Sequence, residues 1–184
     1  SGGSPVNGNV TVQNTSGNTW TASFAARANS TDGPVTFSVS FNDTVGNAGT
    51  AITATSDGTS VAIDNSAPTL SGVSIASDNT NKLKARPGDL VTLTFTASEA
   101  IGTPVVTFRS GGDAITDGSV VYSNTSGNTW TAVYTANASD TDGAVTYSIA
   151  FSDTSGNAGT AVTSGSGSIT TAVSYTHLRA HETV

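Results

Sequence analysis

The seven residues Asn14–Trp20, NTSGNTW, return letter for letter at Asn124–Trp130, and this spacing of 110 constrains the fold more than any other feature. Laying Gly8–Ala51 over Gly118–Ala161 needs no insertion or deletion, and 28 of the 44 positions are identical. The identities include TDG (Thr31–Gly33 and Thr141–Gly143) and GNAGTA (Gly46–Ala51 and Gly156–Ala161). Exchanges between the copies keep their character: Phe24/Tyr134, Phe37/Tyr147, Val39/Ile149. The reading is that a whole structural unit, not a single binding loop, has been duplicated. A period near 110 residues is too long for a solenoid repeat and suits tandem β-sandwiches of about 100 residues.

Alternation of apolar and polar residues predicts seven short strands in the second copy. They are Leu70–Ser77, Leu90–Ala97, Pro104–Ser110, Ser119–Ser123, Thr129–Ala136, Ala144–Ser152 and Thr160–Thr171. Turn formers separate them: RPGD (Arg86–Asp89), SGGD (Ser110–Asp113), TSGN (Thr125–Asn128), DTDG (Asp140–Gly143) and DTSGNAG (Asp153–Gly159). Val91, Leu93, Phe95 and Ala97 share one face, as do Val145, Tyr147, Ile149 and Phe151, and as do Trp130, Ala132 and Tyr134. One apolar and one hydroxyl-bearing face per strand is the pattern of an antiparallel sandwich. The NTSGNTW string then reads as a tight turn followed by a core Trp, with Trp20 and Phe24 inward like Trp130 and Tyr134.

The first copy begins mid-domain on this reading. Residues 1–63 are the C-terminal part of a truncated repeat, 64–69 a short linker, 70–172 a complete repeat and 173–184 a non-native tail. The truncated copy lacks partners for its first three strands and is expected to be unstable alone. Pro68 stiffens entry into the complete repeat. The chain has no Met, so it is expected to be a piece of something longer.

Composition narrows the function classes. Of 184 residues only 10% are charged, and 13 acidic against 6 basic residues give a net charge of −7 without a basic cluster, which argues against nucleic acid and anionic membranes. No apolar run is long enough for a membrane span. There is no Cys, and both His residues fall in VSYTHLRAHET (Val173–Thr183). That stretch resembles the translated read-through of a sequencing adapter. Setting it aside leaves neither a Ser–His–Asp arrangement nor a zinc site of the usual kind. A two-carboxylate glycosidase pair is open on composition, yet most Asp residues sit in turns that account for them. The chain is read as no enzyme.

The strings VAIDNSAPTL, LTFTASEAI and FSDTSGNAG, in that order, resemble the signatures of bacterial immunoglobulin-like repeats in giant secreted adhesins. The resemblance covers nearly all of residues 5–172. It implies tandem seven-stranded immunoglobulin-like antiparallel sandwiches, extracellular or on a bacterial cell surface, with neighbouring repeats of the same chain as partners. Their role is that of a spacer, projecting a distal binding domain. In such a sandwich the segment before the first strand, the loop after the second and the hairpin after the sixth meet at one pole, and here they carry Asp64, Glu99 and Asp153. Asp32, in the preceding copy, faces the same joint, and Asp57 lies on the path between them. Those five carboxylates are the candidate ligands for Ca2+, which takes six to eight oxygens. The competing reading is that Asp43 and Asp153 cap Gly-Asn hairpins by Asx turns and that Asp64 is a solvated hinge residue. A second function class stays open, an accessory carbohydrate-binding module of a secreted polysaccharide-degrading enzyme. It needs an exposed aromatic platform, for which Tyr122 is the one outward candidate.

Overall fold

A computed structural model describes residues 9–172. The stretch read as a foreign tail lies outside the described residues. Every regular element among them is a strand, and no helix is long and apolar enough to cross a membrane. Contacts divide the chain into two compact units, Ser1–Ser66 and Ala67–Val184.

The first unit holds β1 (Thr11–Ser16), β2 (Thr19–Ser23), β3 (Gly33–Pro34) and β4 (Ala62–Ile63). β1 pairs with β2 alone and β3 with β4 alone, so the unit has two small two-stranded sheets. The second unit runs β5 (Leu70–Ser77), β6 (Lys84–Ala85), β7 (Leu90–Ala97), β8 (Val105–Ser110), β9 (Asp113–Ala114), β10 (Val121–Ser126), β11 (Thr129–Thr135), β12 (Gly143–Ala150) and β13 (Ile169–Thr171). One sheet has the order β10-β11-β7-β5 and the other β6-β13-β12-β8-β9. All pairs are antiparallel except β6 with β13.

The inward faces fall where alternation put them. Val91, Leu93, Phe95 and Ala97 from β7, Ala132 and Tyr134 from β11, and Val145, Tyr147 and Ile149 from β12 join one buried cluster with Phe108 of β8. Phe108 and Tyr134 meet across the two sheets with ring centroids 4.8 Å apart. Trp130 is partly buried against the same cluster. Thr92, Thr94 and Thr96 occupy the opposite face of β7, as a half-buried strand requires.

Three differences from the sequence reading stand out. Two strands of two residues, β6 and β9, have no counterpart among the seven predicted. Only Ile169–Thr171 of the predicted final strand is regular, because Ser164–Gly167 breaks it into isolated bridges, Val162 to Ile149 and Ser166 to Ser74. Tyr122 turns inward: its hydroxyl accepts from the Val106 amide at 2.9 Å and lies 3.4 Å from the Val106 carbonyl, tying β10 to the other sheet.

The repeated string makes the same hairpin twice. β1 and β2 pair Asn14 with Trp20 and shift register before Ser16, and β10 and β11 pair Asn124 with Trp130 and shift before Ser126. Burial differs. Trp20 is 65% exposed, against the inward position expected for it, and among the described residues β2 pairs with β1 alone.

Candidate metal centre

The site begins with the turn that closes the β12 hairpin. Asp153 Oδ1 accepts the amides of Ser155 and Asn157, both at 2.8 Å, and Oδ2 accepts the Asn157 side-chain amide at 2.8 Å. Gly156 takes φ +99°, a backbone conformation open to Gly. Burial pushes the Asp153 carboxyl up, but the bonds from Asn157, Gly156 and Ser155 outweigh it and hold it below the ordinary Asp value. Asp43 makes the same bonds to Val45 and Asn47 at 2.8–3.0 Å. The Asx-turn reading of both residues is therefore correct as far as these bonds go.

Pairing then brings the β7–β8 loop alongside. Ile101 bridges Asp153, and the Gly102 amide donates to the Ser152 carbonyl at 3.0 Å. Ser98, next to Glu99, receives the Thr69 amide on its hydroxyl at 3.0 Å and donates its own amide to the Thr69 carbonyl at 2.9 Å. Those bonds hold the entry to β5 beside the loop that carries Glu99. Asp64, in the linker, accepts the Ser66 amide at 3.0 Å.

Within the second unit the outcome is a pair: carboxylate oxygens of Glu99 and Asp153 lie within 4.8 Å of one another, with Asp153 buried and Glu99 half-buried. Asp32 and Asp57 are not in it. Asp32 instead accepts the Asn65 amide at 2.8 Å and the Ser66 hydroxyl at 2.6 Å, and these bonds, the hydroxyl's first, lower its pKa. Asp57 closes a local turn, accepting the Thr59 amide at 3.0 Å and hydroxyl at 2.7 Å. Both are hydrogen-bond acceptors for their own segments.

No protein family, curated protein or solved structure matches this chain. What the site can do follows from its donors alone.

Two carboxylates so close repel one another unless a proton or cation intervenes. Both offer hard oxygen and no nitrogen or sulfur, which suits Ca2+ and leaves further positions for other carboxylates, backbone carbonyls or water. Asp153 keeps lone pairs beyond the three bonds it accepts. The residues present fit an oxygen-liganded cation, with Asp153 fixed by its turn and Glu99 by its loop.

Proposed function

We propose that this chain belongs to a structural spacer: tandem immunoglobulin-like repeats of an extracellular bacterial surface protein that project a distal binding domain. In this reading Asp64, Glu99 and Asp153 hold calcium, and the ion stiffens the joint between repeats. The observation that carries the reading is the recurrence of one hairpin in one register, β1–β2 and β10–β11, 110 residues apart. A unit copied with its turn and pairing intact is a building block, and repetition of such blocks adds length.

Strand order supports the immunoglobulin-like assignment. Leaving out the two-residue strands β6 and β9, the first, second, fifth and fourth strands of the second unit form one sheet and the third, sixth and seventh the other. A constant-type immunoglobulin arrangement has strands grouped in this way, which supports the reading. The role is mechanical rather than catalytic, and its partners are neighbouring repeats. The rival carbohydrate-binding role draws no support from Tyr122, whose ring packs against the core.

Calcium titration of the full chain, followed by thermal unfolding, tests the ion. A cation bound only by the folded state contributes about 2.7 kcal/mol at a hundredfold excess over its dissociation constant, a rise in melting temperature of about 10 °C for a domain of this size. Asp64→Asn, Glu99→Gln and Asp153→Asn should each abolish the rise. Asp43→Asn, which makes the same change at the matching turn outside the acidic group, should leave it intact. A melting temperature indifferent to calcium, or an equal loss in Asp43→Asn, sinks the ion. The stiffening is tested separately: small-angle scattering of a protein with two complete repeats must change on chelation, and one unchanged curve rejects it.

A further inference from the structure

Two consecutive linker residues have every donor group engaged inside the first unit. The Asn65 amide donates to Asp32 Oδ1 at 2.8 Å, and the Asn65 side-chain amide donates to the Ser30 carbonyl at 2.8 Å. The Ser66 hydroxyl donates to Asp32 Oδ2 at 2.6 Å, and the Ser66 amide to Asp64 Oδ1 at 3.0 Å. Three of these bonds span 33 to 35 residues of chain, so local turn chemistry accounts only for the fourth. Asn65 and Ser66 are both exposed. An exposed donor can take water as its partner, and a solvated hinge would leave most of its donors to water.

The loop that receives them is fixed by bonds of its own. Ser30 donates its amide to the Arg27 carbonyl at 2.8 Å and accepts the Arg27 amide on its hydroxyl at 3.1 Å, which leaves the Ser30 carbonyl for Asn65. Among the described residues of the first unit, only Ser30 and Ile63 are buried. Ser30 sits in the receiving loop, and Ile63 is the last residue before the linker. β3 and β4 join the two places, with Gly33 opposite Ile63. A paired strand therefore delivers the linker to Asp32. The carboxylate then holds it with both oxygens, and bonds to an ionised acceptor are stronger than those between neutral groups.

We propose that Asp32 and the Ser30 carbonyl clasp the linker, making residues 64–66 a fixed extension of the first unit. The clasp needs no calcium and holds whether or not an ion stiffens the joint. Its consequence is for the length of chain left free to bend. Inside the second unit, Thr69 exchanges two bonds with Ser98. Of the linker residues 64–69, Ala67 and Pro68 lie between the two sets of bonds, and Pro68 is buried with its φ set by its ring. The reach of a flexible tether grows with its number of free residues, so the clasp shortens the joint as well as stiffening it.

The test is nuclear magnetic resonance on the full, isotope-labelled chain, in chelator, so that its result and that of the calcium titration are independent. Backbone order and amide exchange are read at Asn65 and Ser66. Val35 is the control for folding, because its amide bonds the Val61 carbonyl in the same unit at 2.8 Å. The expected result is that both linker amides are as ordered as Val35 and exchange severalfold more slowly than in an unstructured peptide of the same sequence. Asp32→Ala should make both as mobile as free chain and leave Val35 protected. Asp57→Ala, which removes a carboxylate bound to its own turn, should change neither. Asn65→Ala combined with Ser66→Ala takes away the two side-chain donors from the linker side and leaves the receiving loop intact. The amides of 65 and 66 should then loosen, whatever Asp32→Ala does to the fold. The proposal is overturned if the two amides are mobile in the unaltered chain, or if they stay ordered in Asp32→Ala with Val35 protected. It is also overturned if they stay ordered in the double variant.

Discussion

Phe151 lies with its ring across Gly159, so that a Cβ there would fall inside the ring, and Phe41 lies the same way across Gly49. This contact accounts for the last Gly of the repeated GNAG string, as the positive φ of Gly46 and Gly156 accounts for the first. The two sites share a geometry and differ in freedom: the Phe151 ring is buried and the Phe41 ring exposed. Gly159→Ala must displace a core side chain and should cost about 1–3 kcal/mol in denaturant unfolding. Gly49→Ala lets Phe41 swing outward and should change stability by less than about 0.5 kcal/mol. Equal costs would show that the ring contact is not what the motif protects. From the letters alone GNAG read as turn chemistry, which covers only half of its reason. Ring-on-glycine packing leaves no periodic trace.

Strand by strand, legibility tracked burial. β5 and β7 have the bounds that alternation predicted; β7 buries Val91, Leu93, Phe95 and Ala97 on one face, whereas β5 buries only Ile75 and Ser77 and shifts register between Ser71 and Ser74. Tyr122 was misplaced for a local reason. Val121 and Tyr122 are adjacent apolar residues, so alternation cannot phase them, and the strand's other residues are polar. The hydroxyl decides the phase by bonding Val106 in the opposite sheet. Tyr122→Phe removes an acceptor from a part-buried amide and should lower stability by about 1–2 kcal/mol while leaving the far-ultraviolet spectrum of the sheets unchanged. No loss would mean the amide finds water instead. The final strand failed for the opposite reason, too much apparent regularity: Thr, Val and Ile over 160–171 suggest one strand, but SGSG in the middle redirects it. Gly165 and Gly167 lie so close to the Val73 and Ile75 carbonyls that any side chain would strike them.

Across the whole chain, the candidate site was half legible. Glu99 and Asp153 come together within the second unit, whereas Asp32 and Asp57 serve amides and hydroxyls of their own segments. A carboxylate two residues ahead of an amide closes a turn whatever else surrounds it, and spacing alone does not separate that use from cation binding. The repeated hairpin was plain from the letters, but the 65% exposure of Trp20 was not. The two passages of β-structure that open and close the second unit also have a bearing on force. Toward its start lie Val73, Ile75, Leu83 and Ala85, and toward its end Ser166, Thr170 and Ala172, joined in parallel by backbone bonds of 2.8–3.1 Å. Tension applied through Ala67 and Ala172 would drag these passages in opposite directions along their length. All those bonds are then loaded at once in shear instead of opening one by one. Pulled from its ends in a single-molecule instrument, the unit should hold to a higher load than when pulled across β10 and β11, and Gly165→Ala, which forces the passages apart, should erase the difference. Resistance along the line joining its ends is what the proposed spacer role would ask of such a unit.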